Sequence, residues 1–316
     1  MKVLEGIAGL RSLPAGGVIS IGNYDGVHIG HMAIIDFMQK LAKCAPVAVV
    51  TFEPHPLTVL RPSLVPPRLC SADRKRSLLA EAGVASMVVL PPSPDVLGLT
   101  AEQFWLLLRD EVQPAHIVEG RAFNFGKDRG GTIERLAQWA SDTPIGVHVV
   151  PSAECVLCDQ TVIDVSSTMI RWLLGYGRVA DANRCLGRAF ELTGRVVKGF
   201  QRGRSIGFST ANLDCADLLI PADGVYAGSC QVDDRDYPVA ISIGSTPTFE
   251  QQQYQVEAHL IGYTGDLYDR TITLRVHQWV RDQLRFPSID ELKAQLKRDV
   301  QRVVEVISAS QTPDRS

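Results

Sequence analysis

The strongest constraint on this 316-residue chain is a change of hydrophobic period partway along it. Up to about residue 150, short apolar runs alternate with helical patterns. Residues 18–21 and 47–52 read as buried strands and 85–90, 116–118 and 146–150 as further strands, and the pattern between them predicts helices over 30–43, 72–82, 101–111 and 132–141. Short apolar strands separated by helices imply a parallel sheet covered on both faces. After about residue 187 the runs become β-rich: 190–197, 224–232, 239–243, 254–261 and 271–279, broken by Gly, Asp and Pro turns. That spacing predicts an antiparallel barrel. A last helix is marked by Ser288 with Glu291 three residues on, a capping box, and by Leu292, Leu296, Val300, Val303 and Val304 on one face. The reading gives a first domain over 1–184 and a second over 185–308, with a polar tail beyond.

Composition removes several function classes. Hydrophobic residues make up 45% and charged residues 21%, and the formal net charge is −3. Such a chain is no polycation, so duplex nucleic acid is excluded as its main partner. No run reaches the ~18 apolar residues of a membrane span. The N-terminus lacks a signal-peptide pattern, and the seven cysteines are odd in number and scattered, so a cytoplasmic location is expected. Cys155 and Cys158 have the spacing of a zinc knuckle but no second ligand pair, and are read as part of a strand. Whether the chain forms a weak homo-oligomer is left open.

Two loops carry chemistry. In the first, the 18–21 strand runs into Gly22, Asn23 and Asp25, followed by His28-Ile29-Gly30-His31 at the start of a helix. Ligands of parallel α/β sheets bind at strand carboxyl ends, where helix N-termini point. Two histidines there can bond phosphate oxygens and offset charge that develops in an in-line displacement, and Gly30 lets a triphosphate approach the backbone. Taken without its strand-loop-helix setting, the same tetrad would serve equally as a helix cap. In the second loop, Lys198, Arg202 and Arg204 alternate with Gly199, Gly203 and Gly207. Glycines expose backbone N–H groups and the cations balance a polyphosphate. Thr210 and Asn212 offer a hydroxyl and an amide oxygen, hard ligands for Mg²⁺. By itself this loop would read as a solvated basic turn.

The first loop resembles the His-x-Gly-His nucleotidylyltransferases. More narrowly, it is similar to the FMN-adenylylating half of the bacterial bifunctional riboflavin kinase/FMN adenylyltransferase family. Thr51-Phe52-Glu53-Pro54-His55-Pro56 resembles that family's strand-end motif, and Phe123-Asn124-Phe125-Gly126-Lys127 with Arg129-x-Gly131 its flavin-side loop. Ser166-Ser167-Thr168-Met169-Ile170-Arg171 resembles its second phosphate motif, in which a Ser/Thr-rich helix start donates to phosphate and Arg171 adds a permanent planar charge. The second loop resembles the riboflavin kinase signature, supported by Pro221 to Tyr226, Gly244-x-x-Pro247-Thr248-Phe249, Val256-Glu257-Ala258-His259-Leu260, and Arg281 with Phe286 before the last helix.

The resemblance spans nearly the whole chain. It implies a Rossmann-like nucleotidylyltransferase domain of α/β class, with a parallel sheet, followed by an antiparallel β-barrel riboflavin kinase domain with a C-terminal helix. The implied substrates are ATP, riboflavin and FMN, with Mg²⁺ and no nucleic acid or membrane partner. His28, His31 and Arg171 are the implied catalytic groups of FAD formation. Glu257 is the implied base that takes the proton from the ribityl hydroxyl. Phe52, His55, Pro56, Phe123, Phe125, Arg281 and Phe286 are the implied flavin contacts.

Departures from the family pattern keep two rivals in view. Ala122, after Arg121, stands where Asp or Asn is usual, which suggests a riboflavin kinase with a decayed first domain. Ser209 for Pro, Ser242 for Asn and Asp269 for Gly, taken with Ala122, suggest a flavin-binding regulator with little turnover.

Overall fold

In a computed structural model, residues 1–198, 208–215, 217–247 and 252–311 are described. The chain divides into two compact units. Unit 1 holds Met1–Pro66, Ala72–Cys155 and Ile163–Val165, and unit 2 holds Pro67–Ser71, Val156–Val162 and Ser166–Ser316.

Unit 1 is built on six parallel strands: β1 (Lys2–Glu5), β2 (Val18–Ile21), β3 (Val47–Phe52), β4 (Ser86–Leu90), β5 (His116–Gly120) and β8 (Gly146–Val150), in the order β1-β4-β3-β2-β5-β8. Short strands β6 (Asn124–Phe125) and β7 (Gly131–Thr132) form a separate hairpin. The helices are α1 (Gly6–Arg11), α2 (Ile29–Ala42), α3 (Leu57–Leu60), α4 (Ala72–Glu81), α5 (Pro94–Leu97), α6 (Ala101–Leu106) and α7 (Ile133–Ala140). Alternation along the strands explains the two-sided burial. Ile19, Ile21, Ala48, Val50, Val88, Leu90 and Ile117 share a core with residues of α1, α6 and α7. Val18, Val47, Val49, Met87 and Val118 share the other with α2 and α4. The helix expected over 101–111 changes to π geometry at Leu107–Val112.

The division of the chain passes through β9 (Glu154–Val156) and β10 (Val162–Asp164). In unit 2, α8 (Ser167–Gly175) and α9 (Val179–Leu186) precede a closed antiparallel barrel. Its strands are β11 (Phe190–Val197), β12 (Ala211–Asp214), β13 (Gly224–Val232), β14 (Arg235–Pro247), β15 (Gln252–Leu260) and β16 (Thr271–Arg281), in the order β11-β12-β15-β14-β13-β16. Helix α10 (Ile289–Gln311) lays Val303 and Ile307 against Ala227 of β13. Its buried stripe differs from the expected one at two places. Val304 is 39% exposed, while Asp299 is 3% exposed and faces inward, because it pairs with Arg281 of the barrel.

The domain boundary expected at residue 184 falls inside α9, whose Val179, Ala182, Cys185 and Leu186 are buried. Asn183 ties that helix to the barrel. Its Nδ2 donates to the Val276 carbonyl at 2.9 Å and to the His277 carbonyl at 3.2 Å, and its Oδ1 accepts from the Phe190 N–H at 2.7 Å. Removing one partner of a buried backbone group strands it, at a cost of about 1–3 kcal/mol. Asn183→Ala is therefore expected to lower the unfolding free energy of unit 2 by about that amount in urea titrations. An unchanged midpoint would show that α9 does not hold the barrel through this side chain.

Candidate functional site

The unit 1 site lies at the carboxyl ends of the parallel strands, in the loop from β2 to α2. The loop turns sharply, with Tyr24 at φ +49° and Val27 at φ +39°. For a β-branched residue that backbone is strained and is held only by its surroundings. The holding contacts are visible: Gly22 N–H donates to the Val50 carbonyl at 2.9 Å, Thr51 Oγ1 to the Asn23 carbonyl at 3.0 Å, and Val27 N–H to the Tyr24 carbonyl at 3.2 Å. Tyr24 and Val27 are each 1% exposed.

His28 is the N-cap of α2. Its Nδ1 accepts from His31 N–H, and His31 Nδ1 accepts from His28 N–H, each at 3.4 Å. Both rings thus use Nδ1 as acceptor, which leaves the proton of the neutral imidazole on Nε2. The rings stack with centroids 3.7 Å apart, and Tyr24 lies 4.7 Å from His31. Gly30 suits this packing, since a Cβ there would press on the His28 ring at 3.2 Å. The tetrad is therefore both a helix cap and a pair of aligned N–H donors at a helix N-terminus. Asp25 is buried beside them.

The strand-end motif packs next to this loop. His55 Nδ1 accepts from Leu57 N–H at 3.1 Å, so its proton is on Nε2, which lies 3.1 Å from the Asn23 amide. Asn23 must then turn its Oδ1 toward His55. Phe52 ends β3, and Pro56 precedes α3. Glu53 pairs with Lys75 at 3.1 Å, and Lys75 is 5% exposed. In the hairpin, Phe123 stacks on Phe125 at 5.4 Å. Phe125 is itself in the core, against Phe104 and Trp139, whereas Ala122 is exposed.

In unit 2, Ser166 caps α8 by accepting from Met169 N–H at 3.1 Å, with Ser167 and Thr168 in the first turn. Arg171 Nε donates to the Pro67 carbonyl at 2.8 Å. In the barrel, strand register puts Asn212 of β12, Glu257 of β15 and Ser242 of β14 opposite one another across three adjacent strands. Residues paired in this way share one face of a sheet. Thr210 Oγ1 lies 3.4 Å from Glu257 Oε2, so a hydroxyl, an amide and a carboxylate come together. All are hard oxygen donors, a set that fits Mg²⁺ shared with substrate phosphates. Among the described residues no cluster of three or more His, Cys, Asp or Glu could hold a metal without such help. Lys198 is exposed at the end of β11. Arg202, Gly203, Arg204 and Gly207 lie outside the described residues, as do Gly199, Thr248 and Phe249.

Arg281 is engaged within the protein. Its Nε and NH2 groups donate to the Asp299 carboxylate at 2.7–3.1 Å, and its guanidinium lies 5.8 Å from the Phe286 ring. Gln283, two residues on, was not singled out by the sequence. Its Nε2 donates to Ser242 Oγ at 2.8 Å and to the Ile243 carbonyl at 3.1 Å, so it braces the neighbour of Glu257. Glu119, Ser20 and Tyr24 were also missed. Cys155 is buried and Cys158 exposed, and all seven cysteines are free thiols.

Known proteins resemble the chain along nearly its whole length. Residues 11–168 match the FAD synthetase family and residues 186–307 the riboflavin kinase family. The Escherichia coli (strain K12) bifunctional riboflavin kinase/FMN adenylyltransferase is 34% identical over 304 residues, covering 95% of this chain and 96% of that one. The Pseudomonas fluorescens protein of the same name is 34% identical over 307 residues, with the same coverage. A Streptococcus pneumoniae protein named macrolide-efflux protein shares the fold, with a TM-score of 0.83, 28% identity, and 95% and 98% of the two chains covered. In the present chain, no helix among the described residues is long and apolar enough to cross a membrane. With a third of its residues shared with such relatives from end to end, the chain belongs to the bifunctional riboflavin kinase/FMN adenylyltransferase family.

Proposed function

We propose that this chain makes both flavin nucleotides, phosphorylating riboflavin to FMN and adenylylating FMN to FAD. The observation that carries the reading is the coexistence of two built sites: a histidine-capped helix at a strand end, and a carboxylate flanked by a hydroxyl and an amide on a barrel wall. The first reaction is assigned to residues 185–308 and the second to residues 1–184. Cytoplasmic residence goes with this reading, supported by seven free cysteines.

In the kinase step, Glu257 accepts the proton of the ribityl 5′-hydroxyl while that oxygen attacks the γ-phosphorus of ATP. The bond from that phosphorus to the bridging oxygen breaks and ADP leaves. Thr210 and Asn212 would hold Mg²⁺, which when bound offsets phosphate charge. Lys198, and Arg202 to Gly207 beyond it, cradle the phosphates. In the adenylyl step the FMN phosphate is already an anion, so no base is needed. Its oxygen attacks the α-phosphorus of ATP, and pyrophosphate leaves. His28 and His31 donate from Nε2 to the charge that develops there, Arg171 supplies a permanent positive charge, and Gly22, Asn23 and Asp25 shape the phosphate loop. Phe52, His55, Pro56 and Phe123 are assigned to the flavin. Phe125 and Arg281 act from behind, through the packing described above.

Incubation with riboflavin, ATP and Mg²⁺, followed by chromatography, is expected to give FMN and then FAD. FMN alone would show an inactive first site, and neither product would defeat the reading. His31→Ala is expected to cut FAD formation by about 10²-fold or more while FMN formation stays near the parental rate. Equal loss of both activities in a folded variant would refute two separate sites. Glu257→Gln keeps size and one acceptor but cannot take a proton. It should slow riboflavin phosphorylation by about 10²–10⁴-fold yet still convert supplied FMN to FAD. A parental phosphorylation rate would remove Glu257 as the base.

A further inference from the structure

The sheet of unit 1 opens where the phosphate loop begins. β2 and β5 pair only at Val18↔His116 and Ile19↔Ile117, whereas β2 stays paired with β3 to Ile21↔Val50 and β5 with β8 to Gly120↔Val150. Beyond Ile19 the β5 side of β2 has no backbone partner. The Ile21 N–H is buried at that opening and needs an acceptor. A side chain supplies it: Glu119 Oε1 accepts from Ile21 N–H at 2.6 Å. The other oxygen, Oε2, lies 3.4 Å from Ser20 Oγ, and Ser20 Oγ accepts from the Tyr24 hydroxyl at 2.6 Å. The Tyr24 ring then packs on His31.

Glu119 is 2% exposed, Ser20 1% and Tyr24 1%. Burial pushes the Glu119 carboxyl well above its ordinary range, although the hydrogen bonds from Ile21 and Ser20 pull the other way. Burial likewise raises the Tyr24 phenol, and Glu119 adds to that shift. A carboxyl with no counter-cation among its hydrogen-bonding partners, buried beneath a phosphate loop, is costly unless it works as a neutral acid that both accepts and donates. Tyr24 is also one of three residues held at positive φ in this loop, with Gly26 and Val27. Its hydroxyl, anchored through Ser20, is what fixes its ring in that strained turn.

We propose that Glu119 is a positioning residue for adenylyl transfer: it closes the opening between β2 and β5 and, through Ser20 and Tyr24, fixes the ring against which His31 packs. Glu119 touches no reacting atom. It acts on the histidine pair by setting where the loop can lie, and a displacement of catalytic groups by about 1 Å can cost as much as 10²-fold in rate.

The test uses the full chain, with conversion of FMN and ATP to FAD as the readout, riboflavin phosphorylation as the control for the amount of active chain, and thermal unfolding followed by circular dichroism as the control for folding of unit 1. Glu119→Leu keeps the volume but strands Ile21 N–H and frees Ser20. Its kcat for FAD formation is expected to fall by about tenfold to a hundredfold, with KM for ATP and FMN within about threefold of parental. Glu119→Gln keeps an acceptor for the Ile21 N–H, and its amide can donate to Ser20 Oγ where the Glu119 carboxyl accepts from it, so kcat is expected to return to within about threefold. Tyr24→Phe should lower kcat in the same direction, and adding it to Glu119→Leu should cost little more, since both break one chain of contacts.

A parental kcat in Glu119→Leu, equal defects in the Gln and Leu variants, or losses that multiply in the double variant would each overturn the proposal. If Glu119→Leu fails to fold, Tyr24→Phe decides, and a parental kcat there overturns it as well. The inference rests on unit 1 being the FAD-forming site. Survival of FAD formation in His31→Ala would defeat both. An inactive His31→Ala beside an unimpaired Glu119→Leu would defeat this inference alone.

Discussion

A parallel sheet can bind a ligand only where neighbouring strands part, because elsewhere its backbone is already paired. In unit 1 that parting lies between β2 and β5, and the loop, the helix cap and the strand-end motif are arranged around it. β3 passes on the far side of β2 and supplies Val50 and Thr51, which pin the loop from one flank. β5 departs and supplies Glu119 from the other. Between these flanks the loop bends through three residues at positive φ, and α2 begins with its N–H groups and both histidines at the strand ends. Movement of either flank would disturb the histidines, although neither flank need meet the nucleotide.

The barrel solves the same problem with a different geometry. There the working groups sit within paired strands rather than on a loop. Register alone puts Asn212, Glu257 and Ser242 in a row, and their backbones are held by ladder bonds on both sides. At the end of β16 Arg281 grips Asp299, and two residues on Gln283 reaches back to Ser242. That ion pair is nearly buried, with its two side chains 16% and 3% exposed, and Gln295 adds a further bond to Asp299 at 2.8 Å. A pair of this kind contributes less to net stability than to fixing one arrangement of the helix on the barrel.

Much of this was legible in the sequence. Apolar runs such as 47–52 and 146–150 read as strands, and they are β3, buried along nearly its whole length, and β8, an edge strand whose Val149 is 44% exposed. The His-x-Gly-His tetrad was readable because its residues are consecutive and bond each other. What escaped was the chemistry of contacts distant in sequence. Asp299 was not expected on the buried face, since an apolar stripe gives no sign that one of its places is filled by a paired carboxylate. Glu119 ends an apolar strand and has no motif around it. Its partner is a backbone N–H nearly a hundred positions away, and no side-chain pattern encodes a backbone group. Phe125 belongs to a loop that resembles a ligand contact, yet Gly131 and Trp139 close over it. Strands β1 and β12 were missed because each is short and mixes polar with apolar residues, KVLE and ANLD, whereas the equally short β2 is the apolar and fully buried VISI.

Closure of the barrel also has a bearing on the order of events during synthesis. Its first strand, β11, pairs along six of its residues with its last, β16, matching Phe190 to Val276 through Arg195 to Thr271. A chain still on the ribosome can assemble neighbours such as β13 and β14 early, but the ring stays open until β16 has emerged. The parallel sheet has all six of its strands once Val150 is made. The amino-terminal sheet therefore has a head start set by the speed of translation, at about 5–20 residues per second. During that interval β11 and β12 present unpaired edges, which makes the nascent carboxyl-terminal half the part of this chain most in need of a chaperone.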